Sequence, residues 1–286
     1  MCIRDSYNVA IGRKALMTED GHGRNVAIGY EALMTQNAGA DAYNVAVGYE
    51  AGKLVSSGVE NVLIGGFAGD ALTTGHYNIA IGMRALSAED AHGYNIAIGR
   101  DALKVQNAGA NAYNIAIGYQ AGLAVTTGVQ NTLVGGLAGD ALTDGNTNVA
   151  VGYEALGSET RGDRNVAIGR LALSSQNNTS DTDVYNVAVG YNTGLSVTTG
   201  VQNTLIGGLA GDALTTGMNN VAIGYSALST DDASSCNVAI GAHALEDLNV
   251  DSTAYNTAVG HAAGRDILTG VQNTLIGGLA GDALTT

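Results

Sequence analysis

The chain has 286 residues with no proline, no tryptophan, one phenylalanine and two cysteines. Without Phe or Trp, any core must be thin and built from Val, Ile, Leu and Ala. Two cysteines exclude a disulfide framework; Cys236 stands alone as a small corner residue, and Cys2 lies in the atypical segment discussed below. Only 12 Lys and Arg face 26 Asp and Glu, with no basic run, which argues against a nucleic-acid partner. No apolar run approaches the roughly 18–20 residues of a membrane helix, so membrane insertion of this segment is not expected. What the chain has instead is 42 glycines, 13 tyrosines and 45% hydrophobic residues, too apolar for disorder.

Those apolar residues come in short runs that repeat. The pattern Asn-[Val/Ile/Thr]-[Ala/Leu]-[Ile/Val]-Gly begins at Asn8, Asn25, Asn44, Asn61, Asn78, Asn95, Asn114, Asn131, Asn148, Asn165, Asn186, Asn203, Asn220, Asn237, Asn256 and Asn273. The steps run 17, 19, 17, 17, with 21 replacing 19 in the third round. The reading is an all-β parallel β-solenoid, or β-roll, of sixteen coils of 17–21 residues in four-coil blocks. At about 4.8 Å per coil it would form a rod roughly 75 Å long.

Within a coil, "NVAI" reads as a short strand and the following Gly as a bend that a Cβ would obstruct. A second short run around Ala-Leu is expected to return across the coil. The Gly of "TTG" or "SSG" (Gly58, Gly128, Gly200) is expected to supply a positive-φ turn. Val9, Ile11, Val26, Ile28 and their equivalents are expected to stack into a dry column. The opposite face carries Ala, or Leu at 63, 133, 205 and 275, never a charge, and is expected to be covered by self-association. The sixteen Asn are expected to form a structural ladder, hydrogen-bonding up the stack and to adjacent turns.

Val-Ala-Ile-Gly behind an Asn, repeated in register over residues 7–286, resembles the head repeats of YadA-like trimeric autotransporter adhesins. The "NTLIG…AL…TTG" form with a step of 17 is also similar to repeat arrays of bacteriophage tail fibres. The resemblance implies a left-handed roll, a homotrimer, and work outside the cell as a rigid shaft or head that presents loops to a host-surface glycan or protein receptor. The step differs from that of the adhesin head, and no coiled-coil stalk, anchor or chaperone tail is visible.

Nothing in the pattern points to an enzyme, a metal or a cofactor. The acidic pairs Glu19-Asp20, Glu89-Asp90 and Asp231-Asp232 recur without a tuned partner and read as a solvated corner, not as a glycosidase pair. His22 and His92 read as equivalents on an exposed corner. The "GGLAGD" of each fourth coil is spaced too widely for the shared ions of a calcium β-roll. Arg161-Gly162-Asp163 spells the integrin tripeptide, but sibling coils read Gly-His-Gly and Ala-His-Gly, so composition explains it. The Thr pairs are too intermittent for an ice-binding face.

The long corners after each second coil are "MTQNAGADAY", "KVQNAGANAY", "SSQNNTSDTDVY" and "EDLNVDSTAY". Loops on a rigid scaffold are where binding resides, which makes Asn37, Asp41, Asn107, Asn111, Asn177, Asp181, Asn249 and Asp251 the candidate binding residues. The alternative to a fibre segment is a carbohydrate-binding or carbohydrate-processing β-helix protein. Residues 1–6, "MCIRDS", match no coil and look like translated sequencing adapter. Residues 7–286 then read as one repeat domain, a fragment uncapped at both ends.

Overall fold

The structure is a computed structural model, described for residues 7–20 and 23–286. The adapter reading of residues 1–6 and the placement of His22 lie outside the described residues. The chain is an all-β parallel solenoid of sixteen coils. It falls into two compact units, Met1–Asp144 and Gly145–Thr286. Among the described residues no helix is long and apolar enough to cross a membrane.

The first unit carries β1 (Val9–Ile11), β2 (Val26–Ile28), β3 (Val45–Val47), β4 (Val62–Ile64), β5 (Ile79–Ile81), β6 (Ile96–Ile98), β7 (Ile115–Ile117) and β8 (Thr132–Val134). Each pairs in parallel with the next, without a register slip: Val9 opposes Val26, and Ala46 opposes Leu63. The second unit repeats this with β9 (Val149–Val151), β11 (Val166–Ile168), β13 (Val187–Val189), β14 (Thr204–Ile206), β15 (Val221–Ile223), β16 (Val238–Ile240), β17 (Thr257–Val259) and β18 (Thr274–Ile276). It adds a small pair, β10 (Gly162–Asp163) with β12 (Thr182–Asp183).

The strands face the opposite way from the sequence expectation. The middle residue of each strand is the interior one: Ala27, Ala46, Leu63, Ala80 and Ala97 are fully buried. The Val and Ile on either side form an outer face, partly exposed along the stack and reaching 36–38% exposure at Ile64, Ile117, Ile168 and Ile206. A coil of 17 residues encloses so little space that Ala fits where Ile would not. The expected dry Val/Ile column is therefore the outside of the solenoid, and the Ala/Leu column is its core.

The return half of the coil is not a second strand. It is a succession of turns in which alternate residues take positive φ: Glu31 (54°) and Leu33 (47°), Arg84 (57°) and Leu86 (52°), and so on through all sixteen coils. Such conformations strain a residue with a Cβ. They are held by hydrogen bonds to both neighbouring coils: Glu31 N donates to Arg13 O at 3.0 Å, and Leu33 N to Ala51 O at 3.1 Å.

Glycine is required for two different reasons. The Gly that ends each strand has φ near +130 to +146°, and a Cβ there would strike the next coil's backbone carbonyl. The Gly of "TTG" or "SSG" does not take positive φ, contrary to expectation. A Cβ on Gly58 would sit 2.5 Å from the carbonyl oxygen of Gly75, and one on Gly200 would sit as close to that of Gly217, so close coil-to-coil approach is what excludes a side chain.

Core volume is exchanged between coils. Eight residues after the ladder Asn stands Leu in the first two coils of a block and Gly in the last two. A Cβ on Gly52 would lie 2.6 Å from Leu63 Cδ1, and one on Gly69 would lie 2.8 Å from Leu63 Cδ2. The fourth-coil leucine thus fills space vacated by two glycines. Leu205 does the same between Gly194 and Gly211.

Candidate functional site: the coil interior and the loop edge

The ladder asparagines are buried except at the ends of the stack. Each side-chain carbonyl mainly accepts from the backbone N–H of the next ladder Asn. In the first unit the bonds run Asn25 to Asn8, Asn44 to Asn25, Asn61 to Asn44, Asn78 to Asn61, Asn95 to Asn78, Asn114 to Asn95 and Asn131 to Asn114, at 2.8–3.2 Å. In the second they run Asn165 to Asn148, Asn186 to Asn165, Asn203 to Asn186, Asn220 to Asn203, Asn237 to Asn220, Asn256 to Asn237 and Asn273 to Asn256, at 2.8–3.3 Å.

The amide end does a second task. Asn44 Nδ2 donates to Gly58 O and Asn186 Nδ2 to Gly200 O, both at 2.7 Å, fastening the far corner of the same coil. In the second coil of the later blocks the amide turns to the preceding Asn, as Asn95 Nδ2 does to Asn78 Oδ1 at 3.2 Å, whereas Asn25 Nδ2 reaches Glu19 Oε2 at 3.5 Å. Asp lacks the amide donor, and Ser lacks the reach for both tasks.

The acidic corner is not solvated as expected. In the last three blocks the first acid of the position points inward: Glu89, Glu159 and Asp231 are fully buried, while Asp90 and Asp232 remain exposed; in the first block Glu19 is half-buried and Asp20 exposed. Glu89 Oε2 accepts from Gln106 Nε2 at 3.2 Å, and Gln106 Oε1 accepts from Asn114 Nδ2 at 3.0 Å. Glu159 is the most fully met. It accepts from the backbone N–H of Thr160, Arg161, Gly162 and Asn178 at 2.8–3.0 Å, from Gln176 Nε2 at 2.7 Å and from Asn178 Nδ2 at 3.0 Å. In the fourth block the shorter Asp231 is met by the hydroxyl and N–H of Ser234. Burial pushes its carboxyl above the ordinary range.

A different acid is held by cations. Glu31 bridges Lys14 at 2.8 Å and Lys53 at 2.9 Å, which lowers its pKa to about 2. Asp101 is nearly buried against Arg84 and Arg100, at 2.8 and 3.2 Å.

All eight candidate loop residues are exposed. Several hold their loop to a neighbouring coil. Asp41 pairs with Arg24 at 2.9 Å, Asn111 Oδ1 accepts from Gly93 N at 3.0 Å, and Asn177 Oδ1 accepts from Thr160 Oγ1 at 2.9 Å. Asp181 lies 3.8 Å from Arg161. The third-block loop carries a strand pair, β12 with β10, and an ion pair between Arg164 and Asp183. Of Arg161-Gly162-Asp163, Gly162 and Asp163 form the strand β10, and Asp163 Oδ1 accepts from Asn146 N at 2.6 Å.

The structure also groups Glu89, Asp90 and His92, whose ligand atoms lie within 4.8 Å of one another. Spacing in the sequence did not single out this trio. Glu89 already accepts from His92 N and from Gln106.

No known family, curated protein or solved structure matches the chain.

Proposed function

We propose that this chain is a non-enzymatic structural segment of an extracellular fibre, the shaft or head of a surface adhesin or tail fibre, working as a homotrimer. The Val/Ile outer face carries the reading. The residues one before and one, three and five after the ladder Asn form four rows along the stack. Those rows hold Arg13, Arg24, Arg100, Arg164 and Arg170 but one acid, Glu60, in a chain of net charge −14. Tyrosines flank the strands and stack from coil to coil, as Tyr30 on Tyr49 at 5.1 Å and Tyr94 on Tyr113 at 5.0 Å. A strip that is β-branched, aromatic and almost free of acid lets like-charged chains meet with little repulsion. The long loops then supply the receptor-facing edge.

Sedimentation velocity on the whole chain tests this. The expected outcome is a trimer. Ile117→Asp with Val189→Asp is expected to dissociate it and leave the circular dichroism of the coils intact. A monodisperse monomer for the unaltered chain would defeat the proposal.

A further inference from the structure

Most of this molecule repeats, so a place where the repeat is broken by several chemically matched residues stands out. One such place lies within the first unit, where the fourth coil of the first block meets the next coil. Phe67, Asp70, Arg84 and Ser87 line an open cleft of about 340 Å³. Phe67 is the single Phe of the chain, and the corresponding positions in other blocks are Leu137, Leu209 and Leu279. Its ring leans edge-on to Tyr49, with centroids 5.2 Å apart. Arg84 is anchored on Asp101 through Nε at 2.8 Å and Nη2 at 3.2 Å, which fixes its guanidinium. Ser87 Oγ donates to Lys104 O at 3.2 Å, which leaves its oxygen able to accept.

Asp70 is under-satisfied. Its Oδ1 is shut off from solvent and accepts no hydrogen bond among the described residues, and burial pushes the carboxyl's pKa up. The carboxylate and the guanidinium together decide what can bind. An anion would meet Asp70, and a cation would meet Arg84. A neutral ligand rich in hydroxyls can donate to the first through Oδ2, since Oδ1 is shut off from solvent, accept from the second, and lay an apolar ring face against Phe67. We infer that the Phe67–Asp70–Arg84–Ser87 cleft binds a neutral pyranose sugar.

The second unit contains an internal control. Its equivalent positions are Leu209, Asp212, Ser226 and Ser229, with the same unpartnered Asp oxygen but neither the aromatic ring nor the guanidinium. The inference concerns one chain and does not depend on trimer formation, so a monomeric result above leaves it standing.

The test is calorimetric titration of the full chain with methyl glycosides of mannose, galactose, rhamnose and N-acetylglucosamine. At least one is expected to bind saturably at one site per chain, with Kd on the order of 1 mM. Phe67→Leu, which installs the residue the other blocks already carry, and Asp70→Asn are each expected to weaken binding by about tenfold or more at unchanged melting temperature. Leu209→Phe with Ser226→Arg and His243→Asp, the last supplying the equivalent of the Asp101 anchor, is expected to raise the count to two sites. The inference is overturned if no glycoside saturates, if Phe67→Leu titrates like the parent, or if the folded graft stays at one site.

Discussion

In the first two coils of the second and third blocks, the residue eleven places after the ladder Asn is polar and buried: Glu89 and Gln106, Glu159 and Gln176. In the last two coils the same position is aliphatic and equally buried: Val125 and Leu142, Val197 and Leu214. The backbone path is shared, so the contrast isolates chemistry. The polar half must bring a donor to every carboxylate oxygen it encloses, and it draws those donors from the corner and the long loop. The apolar half needs only volume, and it obtains that by trading Leu for Gly between coils. Polar burial and the long loops occur in the same half of the block. In the third block the loop's Asn178 provides two of Glu159's donors.

The sharpest way to break this contrast is in the apolar half. Leu205→Ala empties a space shaped by two glycines that cannot collapse into it, and should cost about 3–5 kcal/mol in urea unfolding. Gly211→Ala should also destabilise. The pair should cost less than the sum, because the new methyl group meets Leu205 itself.

In the polar half, Glu159→Gln keeps the size but places an N–H among six donors. A loss of roughly 2–3 kcal/mol is expected, with faster hydrogen exchange at Gly162 and Asn178. An unchanged exchange pattern would mean the loop is held by β10–β12 alone.

Acid titration separates the two kinds of buried acid by sign. Glu31 has a pKa lowered from 4.5 to about 2, so its stabilising contribution is present above 4.5 and is lost as pH falls towards 2. Asp231 has a raised pKa, so its contribution is present at low pH and is lost as pH rises from 3.8 through the raised value. Unfolding midpoints across the acidic range should show Glu31→Gln flattening the acid-side loss. Asp231→Asn should gain on the parent as pH rises. The smallest effect belongs to the exposed loops: Asn37→Ala and Asp251→Ala should each shift stability by less than about 0.5 kcal/mol.

Coil number, register and the strand-ending glycine were all readable from the spacing of Asn and Gly, because a solenoid writes its geometry as a period. The facing of the strand was not. Val, Ala and Ile are all apolar, so alternation alone names no inside. A usable signal was nevertheless present: Leu63 appears in the coil where Gly69 replaces Leu, and Gly52 precedes it. Such a volume exchange happens only across a shared interior. The buried acids had a signal of the same kind. A position that reads Glu, Gln, Val, Leu within each of the first three blocks is a position that faces inward. The convergence of Phe67, Asp70, Arg84 and Ser87 was out of reach, since it joins residues from two coils whose side-chain directions depend on the positive-φ turns.

The hydrogen bonds of the ladder join residues 17, 19 or 21 positions apart. Every such closure is short-range in the chain, with a small and nearly constant entropy of loop formation. A coil emerging from the ribosome finds its template in the coil made just before it, with no need to await a distant partner. Assembly can thus keep pace with translation, and an error in one coil is presented at once to the next.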